Sequence, residues 1–294
     1  MKEFIIKKSN EYYNENLVSI NHENILSLNI NKDRSYFYFC KKPNIEINNY
    51  KENIRYILGL SSITFQFWDM SPQKVYTNYS NNGHIGFLAL YEGYNKLYNN
   101  IILSNKKIDI ITHEDMRSFF GSIPNLHGRI MILKESLNKT LFELAYEVIM
   151  NDVNKNNLID TTTAQKISDI MPKSFSDLFL NKIQFALFEI YEILKFKYPQ
   201  LNISLTSGSN GEISKVLNYL EIINYNDEIK NKISNKVLLS ENSLEELAIR
   251  SSSVLAFEEI SKIHKIPLMY LNKYFLEQRN NTKNNFHLTK TTNY

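Results

Sequence analysis

The residues best suited to chemistry are the last nine, 286–294, which alternate aromatic, cationic and hydroxyl side chains up to Tyr294. Lys290 would offer a point charge to a phosphate, and His287 a donor whose charge changes near neutral pH. A segment of this kind suits a planar, phosphorylated ligand. The alternative is an ordered tail that packs its aromatic side chains against the body of the protein, because terminal segments are ordered only when they are tied down.

The composition supports a folded protein without a metal or membrane role. The 294 residues are 43% hydrophobic, which is enough for a substantial core. The net charge of +3 and the scattered Lys and Arg give no basic surface, so nucleic acid is not expected as a partner. The single Cys40 excludes an internal disulfide and suits the reducing cytoplasm. No Cys pair or paired-His helix suggests a metal, and no apolar run reaches the roughly 20 residues that span a bilayer.

The first part of the chain contains short strand-like runs. Residues 36–40 and 63–68 are rich in aromatic and β-branched side chains, which favour strands. Residues 74–79 alternate with period two, and Asn82 with Gly83 marks a turn. The sequence therefore predicts a β-containing part over residues 1–80.

The remainder, 81–294, has the periodicity of helices. Apolar residues recur every three or four positions over 141–149 and 183–194. Ser243 followed by Glu246 is a capping-box signature that begins a further helix. Two helical patterns flank a turn-rich stretch within 182–221, which predicts a helix-hairpin-helix. We expect a single domain of the α+β class, mainly helical, with a small N-terminal β region.

Five segments resemble, in order, the motifs of the queuosine salvage proteins, the queuosine 5′-phosphate N-glycosidase family. They are Thr-Phe-Gln-Phe-Trp at 64–68, Gly-Phe-Leu-Ala-Leu through Tyr-Asn-Lys at 86–96, Leu-Phe-Leu-Asn-Lys-Ile-Gln at 178–184, Glu-Leu-Ala-Ile-Arg at 246–250, and the tail at 286–294. The family's tail reads Phe-His-Arg-x-Arg-x-x-Tyr-Tyr. The likeness extends from about residue 18 to residue 294.

The resemblance implies a fold similar to the helix-hairpin-helix DNA glycosylases and hydrolysis of the N-glycosidic bond of queuosine 5′-monophosphate, which releases the 7-deazaguanine base queuine. It implies no metal or organic cofactor. Such a reaction passes through a cationic sugar, as O-glycoside hydrolysis does. The site then needs a carboxylate, donors for the phosphate and an aromatic slot for the base.

The sequence departs from the family where the presumed catalytic Asp begins the second hairpin helix. The family's Asp-Tyr-Arg is replaced by Asn210, Gly211 and Glu212, and an amide cannot act as a carboxylate base. Glu212 is the obvious substitute, although an acid in a first helical turn also complements the helix dipole. Asn210 is equally suited to a helix N-cap.

Two further carboxylates are candidates for the missing group. Asp69 follows Trp68, and Glu92 replaces a small residue of the family. Trp68 and Phe67 are candidates for the base slot, with core packing as the alternative, and Lys182 for the phosphate, with an exposed helical lysine as the alternative.

Three functions remain open at this point. The first is a divergent N-glycosidase acting on queuosine 5′-phosphate or a related modified nucleotide. The second is a homologue that binds a modified nucleotide, or a different substrate, with altered or no turnover. The third and weakest is a nucleic-acid-binding relative of the glycosylases, against which the near-neutral charge and the lack of a basic stripe count. The sequence leaves the oligomeric state open.

Overall fold

A computed structural model describes residues 2–30, 45–46, 49–71, 76–104, 108–206, 209–282 and 284–294. These residues divide into two compact units. We call the part within 38–203 the central unit, and the part within 1–37 and 204–292, with Tyr294, the terminal unit. The predicted single domain stays a prediction.

The terminal unit is built from six described α-helices and one pair of strands. They are α1 (Glu3–Tyr12), β1 (Val18–Ile20), α2 (His22–Ser27), α11 (Gly211–Tyr219), β8 (Ile223–Tyr225), α12 (Asp227–Ser234), α13 (Leu244–His264) and α14 (Leu268–Gln278), with a 3-10 turn at Arg279–Asn281. Strands β1 and β8 are antiparallel, with Ser19 opposite Asn224. The core lies between this pair and the apolar faces of α11, α13 and α14.

The central unit contains the other helices and short strands of the described chain. They are α3 (Tyr50–Ser62), β2 (Trp68–Met70), β3 (Tyr76–Asn78), β4 (Ser80–Asn81), β5 (His84–Ile85), α4 (Phe87–Leu97), α5 (His113–Phe120), α6 (Leu126–Ser136), α7 (Lys139–Asn151), β6 (Leu158–Asp160), α8 (Thr161–Ile170), α9 (Pro172–Phe175), α10 (Asn181–Leu194) and β7 (Asn202–Ser204). One-turn π-helices occur at Tyr98–Ile102 and Asp152–Asn156, and a 3-10 turn at Ile108–Ile110. Helix α3 packs along α10.

The mainly helical prediction is confirmed, and several local signals are located correctly. The patterns at 141–149 and 183–194 form α7 and α10. Asn82 and Gly83 both have positive φ between the paired strands β4 and β5, the conformation that the Asn-Gly signal predicts. The Ser243 hydroxyl accepts from the Glu246 amide and begins α13, while the Glu246 carboxylate accepts from Asn242, one residue before the cap.

The strand predicted at 63–68 is wrong except at its last residue, where β2 begins. Its backbone groups bond elsewhere: the Ile63 amide donates to the end of α3, and the carbonyls of Phe65 and Gln66 accept from Arg129. The residues predicted as a strand at 36–40, and residues 74 and 75 of the strand at 74–79, lie outside the described residues. Of the remaining residues predicted as a strand at 76–79, Tyr76–Asn78 form β3 and Tyr79 lies outside it.

The helix-hairpin-helix stays a prediction. Its helices form as α10 and α11, but α10 belongs to the central unit and α11 to the terminal unit. Strand β7 lies between them in sequence, and residues 207–208 of the expected turn lie outside the described residues. Within the described part of the chain, we find no helix with the length and apolar character needed to cross a bilayer.

We expect Gly59→Ala to destabilise the protein by about 1–3 kcal/mol, the usual cost of overpacking a core. A Cβ atom at this position on α3 would lie 2.7 Å from Leu137 Cδ2 and would also collide with the Tyr94 hydroxyl. Helix propensity alone predicts the opposite sign, because alanine is favoured over glycine by about 1 kcal/mol. Urea unfolding measures the difference. The control is Lys96→Ala on the exposed face of α4, and a stabilised Gly59→Ala protein would contradict this packing.

Candidate functional site

Asn210 is the N-cap of α11. Its side-chain oxygen accepts from the amide of Ile213 at 3.0 Å, and its carbonyl accepts from the Ser214 hydroxyl at 3.2 Å. This is the capping role that the residue type favours. The Asn210 side chain is therefore engaged at the start of α11, and its predicted catalytic role stays a prediction.

Glu212 lies in the first turn of α11 with its side chain 38% exposed, and its carboxylate is 3.4 Å from Lys215 Nζ. An acid at this position is stabilised by the helix dipole. This geometry agrees with an acid that stabilises the start of the helix. The catalytic role of Glu212 stays a prediction.

The tail at 286–294 folds onto the terminal unit. The Leu288 carbonyl accepts from the Leu239 amide at 2.8 Å, and the Thr291 hydroxyl bonds Glu241. Lys290 lies between the buried Thr289 and Thr291 and is exposed. Most of the segment is therefore packed against the protein, as the alternative of an ordered tail predicts. Lys290 is the exception and is exposed.

His287 is buried in the terminal unit. Its Nε2 lies 3.2 Å from the Tyr294 hydroxyl, and its Nδ1 lies 3.5 Å from the Ser214 hydroxyl. Burial, and secondarily the charge of Arg250, lower the pKa of His287 to about 3. The ring is therefore neutral at physiological pH. As a ligand for phosphate, still a prediction, it would act as a neutral donor rather than a cation.

Sequence reasoning did not assign a role to Arg250, a buried residue of α13. Its Nε donates to the Ser209 carbonyl at 2.9 Å, and its Nη1 to Glu246 Oε1 at 3.3 Å. The Tyr294 ring covers the guanidinium, with 4.3 Å from Cζ to the ring centroid. The Tyr294 hydroxyl donates to the same Glu246 oxygen at 2.8 Å. The i, i+4 spacing of Glu246 and Arg250 was the signal available in the sequence.

A second buried cationic group lies in the central unit around the Phe65 ring. Arg129 Cζ is 4.1 Å from the ring centroid, and Lys182 Nζ is 5.1 Å from it. Lys182 Nζ also donates to the Ser62 carbonyl at 2.8 Å. Lys182 is 4% exposed, so the alternative of an exposed helical lysine is wrong.

Burial controls the protonation of both cations. It lowers the pKa of Lys182 to about 7, and the pKa of Arg129 to about 9. The charge of Arg129 lowers the pKa of Lys182 further, whereas Asp177 and Glu135 raise it. Lys182 is therefore partly protonated at neutral pH, and Arg129 stays charged. A bound anion would favour the protonated form of Lys182.

Irregular backbone surrounds this group. Gln66 has φ of +35° and Leu180 has φ of +54°, both in the left-handed region that costs a non-glycine residue energy. The Gln66 carbonyl accepts from Arg129 Nη2 at 3.1 Å. Leu180 precedes α10, whose first amide, that of Asn181, donates to Asp177 at 2.8 Å. Strained backbone held by buried polar contacts is a feature of binding sites as well as of turns.

The other predicted residues of the central unit lie on β2, directly before it, or on α4. Trp68 is buried and stacks on Tyr76 with 6.1 Å between ring centroids. Phe67 is half-buried, and its carbonyl accepts from the Tyr79 amide at 2.7 Å. Asp69 is exposed, and Glu92 is half-buried on α4. Their roles at the base and in catalysis stay predictions.

The described residues contain no group of three or more His, Cys, Asp or Glu side chains placed to hold a metal ion. The predicted site residues fall into two sets. Asn210, Glu212, His287 and Lys290 belong to the terminal unit, and Phe67, Trp68, Asp69, Glu92 and Lys182 to the central unit. Within the terminal unit, the Ser214 hydroxyl lies 3.2 Å from the Asn210 carbonyl oxygen and 3.5 Å from His287 Nδ1.

The sequence matches the model of a protein family. The model for the queuosine salvage protein family matches residues 44–273, which is most of the chain. The segments at 64–68, 86–96, 178–184, 210–217 and 246–250 lie inside the match, and the tail at 286–294 lies beyond it. No curated protein shows significant similarity to the sequence.

We expect the free energy of unfolding to rise between pH about 7 and about 10.4 because of Lys182. The folded protein holds its pKa at about 7, whereas an unfolded lysine titrates near about 10.4. Between these values the unfolded chain binds a proton that the folded protein does not, so stability increases with pH by up to about 1.4 kcal/mol per unit. Lys182→Met should lack this increase in urea unfolding.

The control for this measurement is Lys230→Met, whose side chain is 57% exposed in the wild type. It should keep the pH slope of the wild type. Equal slopes in the wild type and Lys182→Met would show that Lys182 keeps its proton in the folded protein.

Proposed function

Because the chain belongs to the queuosine salvage protein family, we propose that it hydrolyses the N-glycosidic bond of queuosine 5′-monophosphate or a related modified nucleotide and releases the 7-deazaguanine base. The family match over residues 44–273 is the observation that carries the proposal. The reaction needs no metal or organic cofactor. We propose that the enzyme acts in the cytoplasm, whose reducing conditions suit the single Cys40.

The chemistry demands a negative group near the sugar. Departure of the base leaves an oxocarbenium-like sugar, which a carboxylate stabilises or traps with an activated water. A 7-deazapurine lacks the N7 atom that ordinary purine hydrolases protonate, so its departure depends more strongly on the sugar side. Glu212, Asp69 and Glu92 are the carboxylates proposed for this role in place of the family's Asp.

We propose one candidate group for the phosphate in each unit: Lys290 with His287 in the terminal unit, and Lys182 in the central unit. Lys290 is the exposed cation of the ordered tail. Because burial lowers the pKa of Lys182, this side chain would take up a proton when an anion binds near it. His287 supports this role through its ring N–H alone, because it is neutral. The ring faces of Phe67 and Trp68 are proposed to bind the base.

A second candidate function is a homologue that binds a modified nucleotide without turnover. The observation that favours it is the side chain of Asn210, an amide engaged in capping α11 where the family has a carboxylate. Loss of an acid–base group typically costs about 10²–10⁴-fold in rate. The two functions differ only in whether another carboxylate supplies the missing charge.

Asn210→Asp should raise the release of base from queuosine 5′-monophosphate by about two orders of magnitude or more, if the carboxylate is the missing element. The substitution preserves the cap, since Asp and Asn cap helices about equally well. The matched control is Asn226→Asp, because Asn226 caps α12 with the same geometry, accepting from Ile229 at 2.9 Å. It should leave the rate unchanged. Chromatography of the released base measures the effect.

The same assay distinguishes the other outcomes. If the wild type turns over rapidly and Glu212→Gln abolishes release while Asn210→Asp has no effect, the catalytic carboxylate is Glu212. If no variant releases base from any deazaguanine nucleotide, hydrolysis is excluded and binding without turnover replaces it.

Lys290→Ala should weaken binding of queuosine 5′-monophosphate by about tenfold while leaving the nucleoside unaffected, because a charge-assisted contact to phosphate is lost. Isothermal calorimetry with both ligands measures this. The control is Lys230→Ala, another exposed lysine of the terminal unit. Equal affinity for nucleoside and nucleotide in the wild type would remove the phosphate assignment.

A further inference from the structure

We propose that Arg250 is a positioning residue for the turn that carries Asn210. Tyr294 helps to hold the Arg250 guanidinium in place. The tail thereby sets the geometry at the start of α11. The effect of this positioning on rate rests on the proposed function, whereas its effect on the turn does not.

The contact of Arg250 with the turn is direct. Its Nε donates to the Ser209 carbonyl at 2.9 Å, and its Nη2 lies 3.5 Å from the Ser209 hydroxyl. Ser209 immediately precedes Asn210, whose side chain and carbonyl begin α11. The backbone position of the N-cap is therefore defined by a side chain of α13.

Glu246 and Tyr294 hold the guanidinium in this orientation. Glu246 Oε1 accepts from Arg250 Nη1 at 3.3 Å and from the Tyr294 hydroxyl at 2.8 Å, while Oε2 accepts from the Asn242 amide at 3.2 Å. The Tyr294 ring lies against the guanidinium. Arg250 and Glu246 are 1% and 0% exposed, so their charges depend on these partners rather than on water.

The tail also contacts the start of α11 from a second direction. A Cβ atom on Gly211 would lie 3.3 Å from Phe286 Cδ2, so this ring lies over the first residue of the helix. His287 joins the Tyr294 hydroxyl to Ser214 in the same helical turn. Displacement of Tyr294 would disturb its contact with Arg250 and also its hydrogen bond to His287.

A purely structural ion pair would behave differently. If Arg250 and Glu246 only stabilised the terminal unit, loss of Tyr294 would increase opening of the whole unit equally. A positioning role requires that the amides at the start of α11 open selectively. The amides of Ile213 and Ser214, which bond Asn210, report this turn. The amide of Ile229, which bonds the N-cap Asn226 of α12, is the internal reference.

Native-state hydrogen exchange in the full chain tests the proposal with three variants. Tyr294→Ala removes the ring and the hydroxyl, and should speed exchange at Ile213 and Ser214 by about tenfold or more relative to Ile229. Tyr294→Phe keeps the ring and should give a smaller increase. Arg250→Lys keeps the charge but loses the fork that bonds Ser209 and Glu246 together, and should resemble Tyr294→Ala. Tyr219→Ala, at the exposed end of α11, is the control.

Kinetics with queuosine 5′-monophosphate give the second measurement. In an active wild type, Tyr294→Ala should lower kcat by about tenfold with a smaller change in KM, and Tyr294→Phe should restore most of kcat. Unchanged exchange at Ile213, or equal acceleration at Ile213 and Ile229, would overturn the proposal. So would selective exchange without any change in kcat or KM. If the wild type releases no base, selective exchange supports the positioning role and the proposed function alone fails.

Discussion

A buried guanidinium that bonds irregular backbone is the interaction on which both units depend. Arg250 holds Ser209 ahead of α11, and Arg129 holds the carbonyls of Phe65 and Gln66 after α3. Among the described residues, no backbone amide of a helix or sheet bonds these carbonyls, and an unbonded buried carbonyl is costly. The guanidinium supplies several donors in one rigid plane, which lysine cannot do. Each arginine therefore fixes a non-repetitive segment that secondary structure alone would leave undefined.

Three of the predicted site residues come directly after these segments. Asn210 follows the backbone bonded by Arg250, and Phe67 and Trp68 follow the backbone bonded by Arg129. Residues that bind or react need support from rigid neighbours to keep their positions. An aromatic ring lies against each guanidinium, Tyr294 in the terminal unit and Phe65 in the central unit. Burial of these cations is tolerable because carbonyls and ring faces replace water.

The sequence predicted the elements whose signals are local. The periodicity at 183–194 and the Asn82–Gly83 turn have the structures that their patterns indicate. The strand at 63–68 failed because its backbone bonds are decided by Arg129, more than sixty residues away in the chain. Burial of Lys182 was missed for a similar reason: its carbonyl partner, Ser62, and its aromatic neighbour, Phe65, come from another part of the chain. Residue types and their local spacing do not indicate which distant residues will be in contact.

The sequence offers candidate site residues, but it does not give their charge states in the folded protein. His287 was expected as a switchable donor, yet its burial beside Arg250 lowers its pKa to about 3 and keeps it neutral. Charge states depend on desolvation and on neighbouring charges, which are properties of the folded protein. Lys290, by contrast, is exposed, as its residue type favours.

Asn210 shows why the fold and the chemistry of such a family can diverge independently. Aspartate and asparagine cap a helix with nearly equal effect, because both present an oxygen to the same backbone amides. Selection for a folded α11 therefore does not distinguish the two residues. Selection for hydrolysis does, because in a water-poor site a charge stabilises a cationic sugar far better than an amide dipole. A position that serves both purposes can lose one without losing the other, so the intact cap at Asn210 is evidence about the fold of α11 and not about catalysis.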